Sequence, residues 1–377
     1  MKGFLRLGDH CEKIGSGYTP RGGHKSYVSS GIPLIRSQNV LMRSFKREGL
    51  VYISQTTHEE MQATEVIPGD VLLNITGASI GRVCVAPEEL CPANVNQHVC
   101  IIRCKPEFDP NFISLFLSTP EFQKFIMDTQ AGGTRQALTK SDIEEFRIPD
   151  VGVFEQRKLA ASILTNLKLI ESAEAASQLQ RRELAALANA IVSASCQHCS
   201  TRPIALGEVL DEVKDGIGGL WKSFPVLGAT REGVAPAKER PGKHADRYKP
   251  VRAGTVFYNP MRILIGSIAF VDEDDEPGIT SPDYVVLKGK KGVVDTRWFY
   301  YWLRSPLGER CIRSLARGAV RERMLFNRLA EGEIELPDYD TQVRASKALA
   351  QIKPMRAAVL KQVAELDLLP QKLLAQF

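Results

Sequence analysis

FEQRKLAASILTNLKLIESAEAASQLQRRELAALANAIVSAS, Phe154 to Ser195, decides how the chain is organised. Its apolar residues fall seven apart at Ile163, Ile170, Leu184 and Ile191, with Ser177 the one polar member of the series. Ala173 and Leu187 lie three further on from two of them. That is a heptad stripe. The stretch holds no glycine and no proline, and at ~1.5 Å per residue it makes a helix roughly 60 Å long.

A second stripe runs from Val343 to Leu369 through Ala345, Ile352, Val359 and Leu366, flanked by Leu349, Val363 and Leu369. Pro354 falls inside it, and because an interior proline costs ~3 kcal/mol the second helix is expected to kink or begin there. Each stripe follows a globular stretch, so the chain reads as residues 1–150 (globule), 151–199 (long helix), 200–338 (globule) and 339–377 (long helix). The expected class is α+β, with two globular domains in tandem pseudo-repeat separated by two long antiparallel helices forming a coiled coil. The competing arrangement folds each helix over its own domain.

With 377 residues, 44% hydrophobic and 25% charged, the chain has the composition of a soluble protein with room for two or three domains. It has no apolar run near the ~20 residues of a membrane span and no signal peptide, so a cytoplasmic location is expected. A net charge of +5 permits nucleic-acid binding without arguing for it. Distribution says more. One basic cluster, Arg36, Arg43, Lys46 and Arg47, lies in the first globule, and another, Lys238, Arg240, Lys243, Arg247, Lys249 and Arg252, in the second. Such runs are usually solvated faces, but these recur at similar places in two halves of one chain.

The turn-rich loop SGYTPRGG and the residues after it add Thr19, Arg21 and Lys25. The strand-like IPLIRS ends in Gln38 and Asn39, amides of the kind that pair bidentately with adenine. In AGGTRQALTKSDIEEFRIP, residues 131–149, Thr139 and Asp142 form a capping box. Arg135 stands just ahead of that helix start, where it either meets a phosphate or pairs with a neighbouring carboxylate.

Comparing the halves exposes a duplication. Gly69, Asn74 and Gly81 match Gly254, Asn259 and Gly266 at an offset of 185, and Pro120, Gly132 and Arg135 match Pro306, Gly318 and Arg321 at 186. A duplicated reader on a rigid spacer suits a split duplex site, since roughly 60 Å is a little under two turns of B-DNA at ~34 Å each. No catalytic constellation accompanies it: GxxxxGK[ST], GxGxxG after a strand and HExxH are all absent. Cys196-Gln-His-Cys199 is a lone CxxC among eight cysteines, and a structural zinc needs four ligands, so no metal site is expected.

GYTP (17–20), GIPLIRSQNV (31–40), GDVLLNITGASIGRV (69–83), GGTRQALTKSDIEEFRIP (132–149) and EQRKLAASIL (155–164) resemble the specificity subunit of type I restriction-modification enzymes. In the second half RGAVRERMLFNRLAEGEIELP keeps the glycine and arginine but not the Leu-Thr-x-x-Asp-Ile, and YDTQVRASKALAQI replaces the EQ-type helix start. The resemblance implies two target recognition domains, each reading half of a bipartite duplex DNA target. The helices would set the spacing and dock two methyltransferase subunits, with Glu155 and Gln156 at the docking face, and restriction subunits in addition. The chain itself would catalyse nothing and hold no cofactor; S-adenosylmethionine, Mg and ATP would enter with the partners. Two other readings stand beside it: a recognition subunit of another methyltransferase, nuclease or phage-defence system, and a coiled-coil scaffold with no DNA role.

Overall fold

A computed structural model describes residues 3–131, 137–197, 203–238, 240–316 and 323–377. The chain divides into two compact units, Met1–Ala175 with Ala364–Phe377, and Ala176–Val363. Each unit therefore takes a share of the helical segments as well as a globule.

In the first unit a four-stranded antiparallel sheet has the order Cys11–Ser16, Val99–Cys104, Val71–Asn74, Val83–Val85. The run Val71–Asn74 is buried at every position, which means a strand covered on both faces. Alternate residues divide between two cores, as the period of two requires. Val71, Leu73, Cys100 and Ile102 join Phe112, Phe116 and Phe122. Leu72, Val99 and Ile101 join Ile35, Val66 and Val95 of a second sheet, in which Ile32–Ile35 and Ala93–Val95 run parallel.

The second unit repeats the plan. Its sheet has the order Leu210–Glu212, Val285–Gly289, Thr255–Tyr258, Ile268–Val271, strand for strand the order of the first. Val256, Tyr258, Val285 and Leu287 face Trp298, Phe299 and Trp302, while Phe257, Ala269 and Val286 face Leu227 and Val251. Gly69 and Gly254 take φ of 86° and 78°, and Gly81 and Gly266 take 83° and 84°. Those left-handed positions explain why glycine recurs there. Asp109 caps the helix Pro110–Leu117 through Phe112 N at 3.0 Å, and Asp295 caps Thr296–Arg304 through Trp298 N at 2.9 Å. The capping box of Thr139 and Asp142 is present. Leu325, the corresponding residue 186 further on, offers no side-chain cap, so the second half lost that hydroxyl with its Leu-Thr-x-x-Asp-Ile.

One unbroken helix of 44 residues, Val153–Cys196, forms from the first stripe. The second stripe yields three helices, Tyr339–Ala350, Ile352–Leu366 and Leu369–Leu374. The break expected at Pro354 falls at Gln351 instead, which places Pro354 third in its helix, in the first turn, where no intrahelical partner for its missing N–H is lost. In the first unit Ala160, Ile163 and Leu167 share a core with Leu374, and Leu373 and Phe377 pack against it. In the second, Ala188 and Val192 share a core with Ala345, Leu349 and Ile352, and Trp298 Nε1 donates to Ser195 Oγ at 2.9 Å. From its N-terminus, then, the long helix meets the last residues of the chain first and Ala345 to Ile352 later, the antiparallel order. Ile163, Ile170 and Ser177 are buried, but Leu187, expected beside the stripe, is 48% exposed.

At the root of each helix sits a buried glutamine. Gln156 Oε1 accepts from Asp109 N at 2.8 Å, and its Nε2 donates to the carbonyls of Glu107 at 3.2 Å and Val151 at 2.6 Å. Gln342 Oε1 accepts from Asp295 N at 3.0 Å, and its Nε2 donates to Val293 O at 3.0 Å and Pro337 O at 2.9 Å. Both are 0% exposed. Two expectations are corrected by this. Gln156 is an internal anchor, because a side chain sealed from solvent with its three hydrogen bonds made cannot dock a partner. And YDTQ keeps the functional residue of the first helix start, 186 residues on.

Gln156→Ala and Gln342→Ala each leave a buried N–H and two carbonyls short of a partner. Each is expected to lose roughly 2–3 kcal/mol, with urea unfolding of the full chain showing similar losses for the two, whereas Glu155→Ala at the exposed neighbouring position leaves the midpoint unchanged.

Candidate nucleic-acid interface

The cationic residues singled out in the sequence sort into two groups once placed. Arg21 and Lys25 are exposed on the loop and short 3-10 helix that follow Thr19, and neither has an ion-pair partner among the described residues. Lys238, Arg240, Lys243 and Arg247 are likewise exposed and unpaired among the described residues, along the loop leading into strand Lys249–Val251. These six are free to meet phosphate.

The others are engaged. Lys46 pairs with Glu48 at 3.2 Å and Arg47 with Glu89, both at the surface. Arg36 Nη2 donates to Gly49 O at 2.6 Å, its guanidinium lies 5.9 Å from the Tyr27 ring centre, and its buried Nε makes no hydrogen bond with the described residues. Arg43 adopts φ of 61° and is half-buried, and burial lowers its pKa against the opposing pull of Glu171 on the long helix. Lys249 is turned inward: its Nζ donates to Tyr284 O at 2.8 Å and lies 3.8 Å from Glu212, and burial lowers its pKa while Glu212 and Asp283 raise it. A lysine so tied has its charge spent on the fold. Arg135 and Arg321 lie outside the described residues.

Of the two amides expected to read adenine, Gln38 is exposed and gives one N–H to Gly49 O at 3.1 Å. Asn39 is fully buried. Its Oδ1 accepts from Arg36 N at 3.1 Å and its Nδ2 donates to Lys46 O at 2.9 Å. That corrects the reading of Asn39: it closes a turn and has no edge to present to a base. Asn74 supports the same turn by donating to Ser37 O at 2.8 Å and Val40 O at 3.2 Å.

Sequence reasoning passed over a polar chain formed where separate loops of the first unit converge. Thr19 Oγ1 donates to Gln97 Oε1 at 2.6 Å. The Gln97 amide nitrogen has only protons to offer, so it donates to His98 Nε2 at 3.2 Å. His98 therefore carries its proton on Nδ1, which donates to Thr76 Oγ1 at 2.6 Å. Backbone bonds fix the same loops, Gly17 N to Asn96 O at 3.2 Å, Ile75 N to His98 O at 3.0 Å and Leu138 N to Ile75 O at 2.9 Å. Thr19 and Gln97 are exposed. The only signal for this chain in the sequence is that Thr19, Thr76 and His98 fall in or beside loops bounded by glycines and strand ends.

Elsewhere, among the described residues, no group of three or more His, Cys, Asp or Glu could hold a metal ion, and no helix is long and apolar enough to cross a membrane. Cys196 is half-buried; Cys199 lies outside the described residues.

A twofold-repeated α+β unit, with exposed cations in loops of each copy that have no ion-pair partner among the described residues, defines the class: a tandem two-unit α+β protein. Residues 2–179 match the family model described as type I restriction modification DNA specificity domain. The chain is 26% identical over 139 residues to the type I restriction enzyme EcoBI specificity subunit of Escherichia coli, an alignment that spans 36% of this chain and only 28% of that protein. Solved structures share the fold across nearly the whole length. A chain from a study of complex assembly and conformational transition of the type I R-M system has a TM-score of 0.64 at 17% identity, covering 100% of this chain and 97% of that one. The HsdS subunit from Thermoanaerobacter tengcongensis has a TM-score of 0.55 at 18% identity, covering 99% and 95%. The S subunit of the type I system from M. genitalium has 0.55 at 15%, covering 98% and 94%.

Replacing Asn39 by alanine tests the correction made above. It is expected to cost about 1–3 kcal/mol of stability in the first unit and to leave any preference among DNA sequences as it was. A lowered unfolding midpoint with unaltered selectivity in duplex selections is the checking result.

Proposed function

We propose that this chain is the DNA specificity subunit of a type I restriction-modification complex, each unit reading one half of a bipartite duplex target. The observation that carries this reading is the repetition itself: two units whose sheets have identical strand order, each with its own glutamine anchor and its own set of exposed cations without an ion-pair partner among the described residues. One such unit would suffice for a single short site. Two copies on one chain match a target in two parts.

In this reading Arg21 and Lys25 in the first unit, and Lys238, Arg240, Lys243 and Arg247 in the second, neutralise phosphates and set the register of the protein on the duplex. Sequence is read by side chains at base edges, in which Arg36 and Gln38 remain candidates. Lys46 and Arg47 contribute to the field around the site more than to direct binding, since each already answers a carboxylate, and Arg43 is half-buried. Methyltransferase subunits, with their S-adenosylmethionine, dock on exposed faces of the long helix such as that bearing Phe154 and Glu155. Restriction subunits join them and bring ATP and Mg. The chain contributes recognition and no catalytic group.

Exchanging residues 1–150 for the matching stretch of a relative is expected to change one half of the methylated motif and preserve the other; a motif altered in both halves or in neither defeats the proposal. Replacing Lys238, Arg240, Lys243 and Arg247 together by glutamine is expected to weaken binding evenly across sequences. The slope of log K against log salt should become shallower by about 0.9 for each phosphate that is no longer neutralised.

A further inference from the structure

We infer that Gln97 is a base-reading residue of the first unit, held ready for an adenine by Thr19 on one side and His98 on the other. The inference rests on the DNA-reading function proposed above and names a residue for it.

The argument begins with cost. Holding an exposed glutamine in one rotamer loses up to ~2 kcal/mol of side-chain entropy, and hydrogen bonds made in water return only about 1 kcal/mol each. Gln97 is exposed and nevertheless fixed at both ends of its amide, by the Thr19 hydroxyl at 2.6 Å and by His98 Nε2 at 3.2 Å. Such a constraint contributes little to a fold whose core lies elsewhere. It does preorganise a reader for its base, because the ordering cost of binding has already been met.

The remaining hydrogen-bonding capacity identifies the ligand. A primary amide has two donors and two acceptor sites. Thr19 takes one acceptor site and His98 takes one donor, so one of each is left. One donor and one acceptor on a single amide is the set that pairs with the N7 and N6 edge of adenine in the major groove. Asn39, the amide first expected to do this, also uses one acceptor site and one donor, but it is fully buried and what remains cannot reach a base. The neighbourhood agrees in charge: Arg21 and Lys25, exposed and unpaired among the described residues, follow Thr19 within six residues, placing phosphate-binding groups on the loop that holds the reader.

The experiment selects randomised duplexes with the full chain in complex with its methyltransferase subunits, comparing the parent with Gln97→Ala, Gln97→Glu and Thr19→Val. Gln97→Ala should lower the preference for A·T at one position of one half-site by about ten-fold and leave the other positions alone. Gln97→Glu keeps the acceptors and loses the donor, so the preferred pair at that position should move toward one offering cytosine N4. Thr19→Val should relax the same position by a smaller factor, since it loosens the amide without removing it. Uniform weakening at every position, or no change for Gln97→Ala, overturns the assignment, as does a preferred pair unmoved by Gln97→Glu. If the parent complex selects no sequence at all, the specificity function itself fails, a result distinct from the loss of Gln97 alone.

Discussion

A primary amide buried at the root of a helix is the interaction on which the rest of each unit depends. Gln156 accepts from the backbone of Asp109, whose own carboxylate caps the neighbouring helix, and gives both of its protons to carbonyls of the two flanking loops. Gln342 does the same with Asp295, Val293 and Pro337. No other side chain of that length offers one acceptor and two donors without charge. A glutamate would bury an ionised group with nothing to donate, and a lysine would bury a cation with nothing to accept. The bond set therefore fixes both the identity of the residue and the angle at which a helix leaves its globule.

Around that anchor the two units keep what the backbone requires and change what it does not. The left-handed glycines, the aspartate caps and the strand order recur. The apolar filling does not: Phe112 and Phe116 stand where Trp298 and Trp302 stand 186 residues later, a larger volume that the second core accommodates with its own aromatic neighbours. The far face of the sheet diverges further. In the first unit it meets a four-stranded sheet, in the second two two-stranded pieces, Leu227–Thr230 with Gly233–Pro236 and Lys249–Val251 with Gly278–Thr280. The difference between the units is thus greatest in the layer on the sheet face away from the aromatic helices.

What the sequence disclosed was whatever is periodic or local. A heptad repeats along one helix, a capping box spans three residues, and a duplication shows as a constant offset, so the long helix, the Thr139–Asp142 box and the tandem plan could all be read before any coordinates. What escaped was set by distant partners. Asn39 looks like any exposed amide after a strand until Lys46 O and the turn braced by Asn74 enclose it. Gln97 gains its meaning from Thr19, 78 residues away, and Lys249 is drawn out of its basic cluster by Tyr284 and Glu212. Pro354 was legible for the same local reason: proline is penalised in a helix interior, and the helix does begin just ahead of it, at Ile352, so that Pro354 stands in a first turn where the penalty vanishes.

The insertion of Leu374 into the first core, with Phe377 against Phe112 and Phe116 at ring separations of 5.1 and 5.9 Å, bears on how the protein is born. As the ribosome releases the chain from its amino end, the first unit emerges early but lacks an apolar plug encoded some two hundred codons downstream. Until that plug arrives, part of its aromatic floor is open to water and to other nascent polypeptides. The second unit, by contrast, is a single continuous segment and can close as soon as it is made, so the module translated first is the one that matures last.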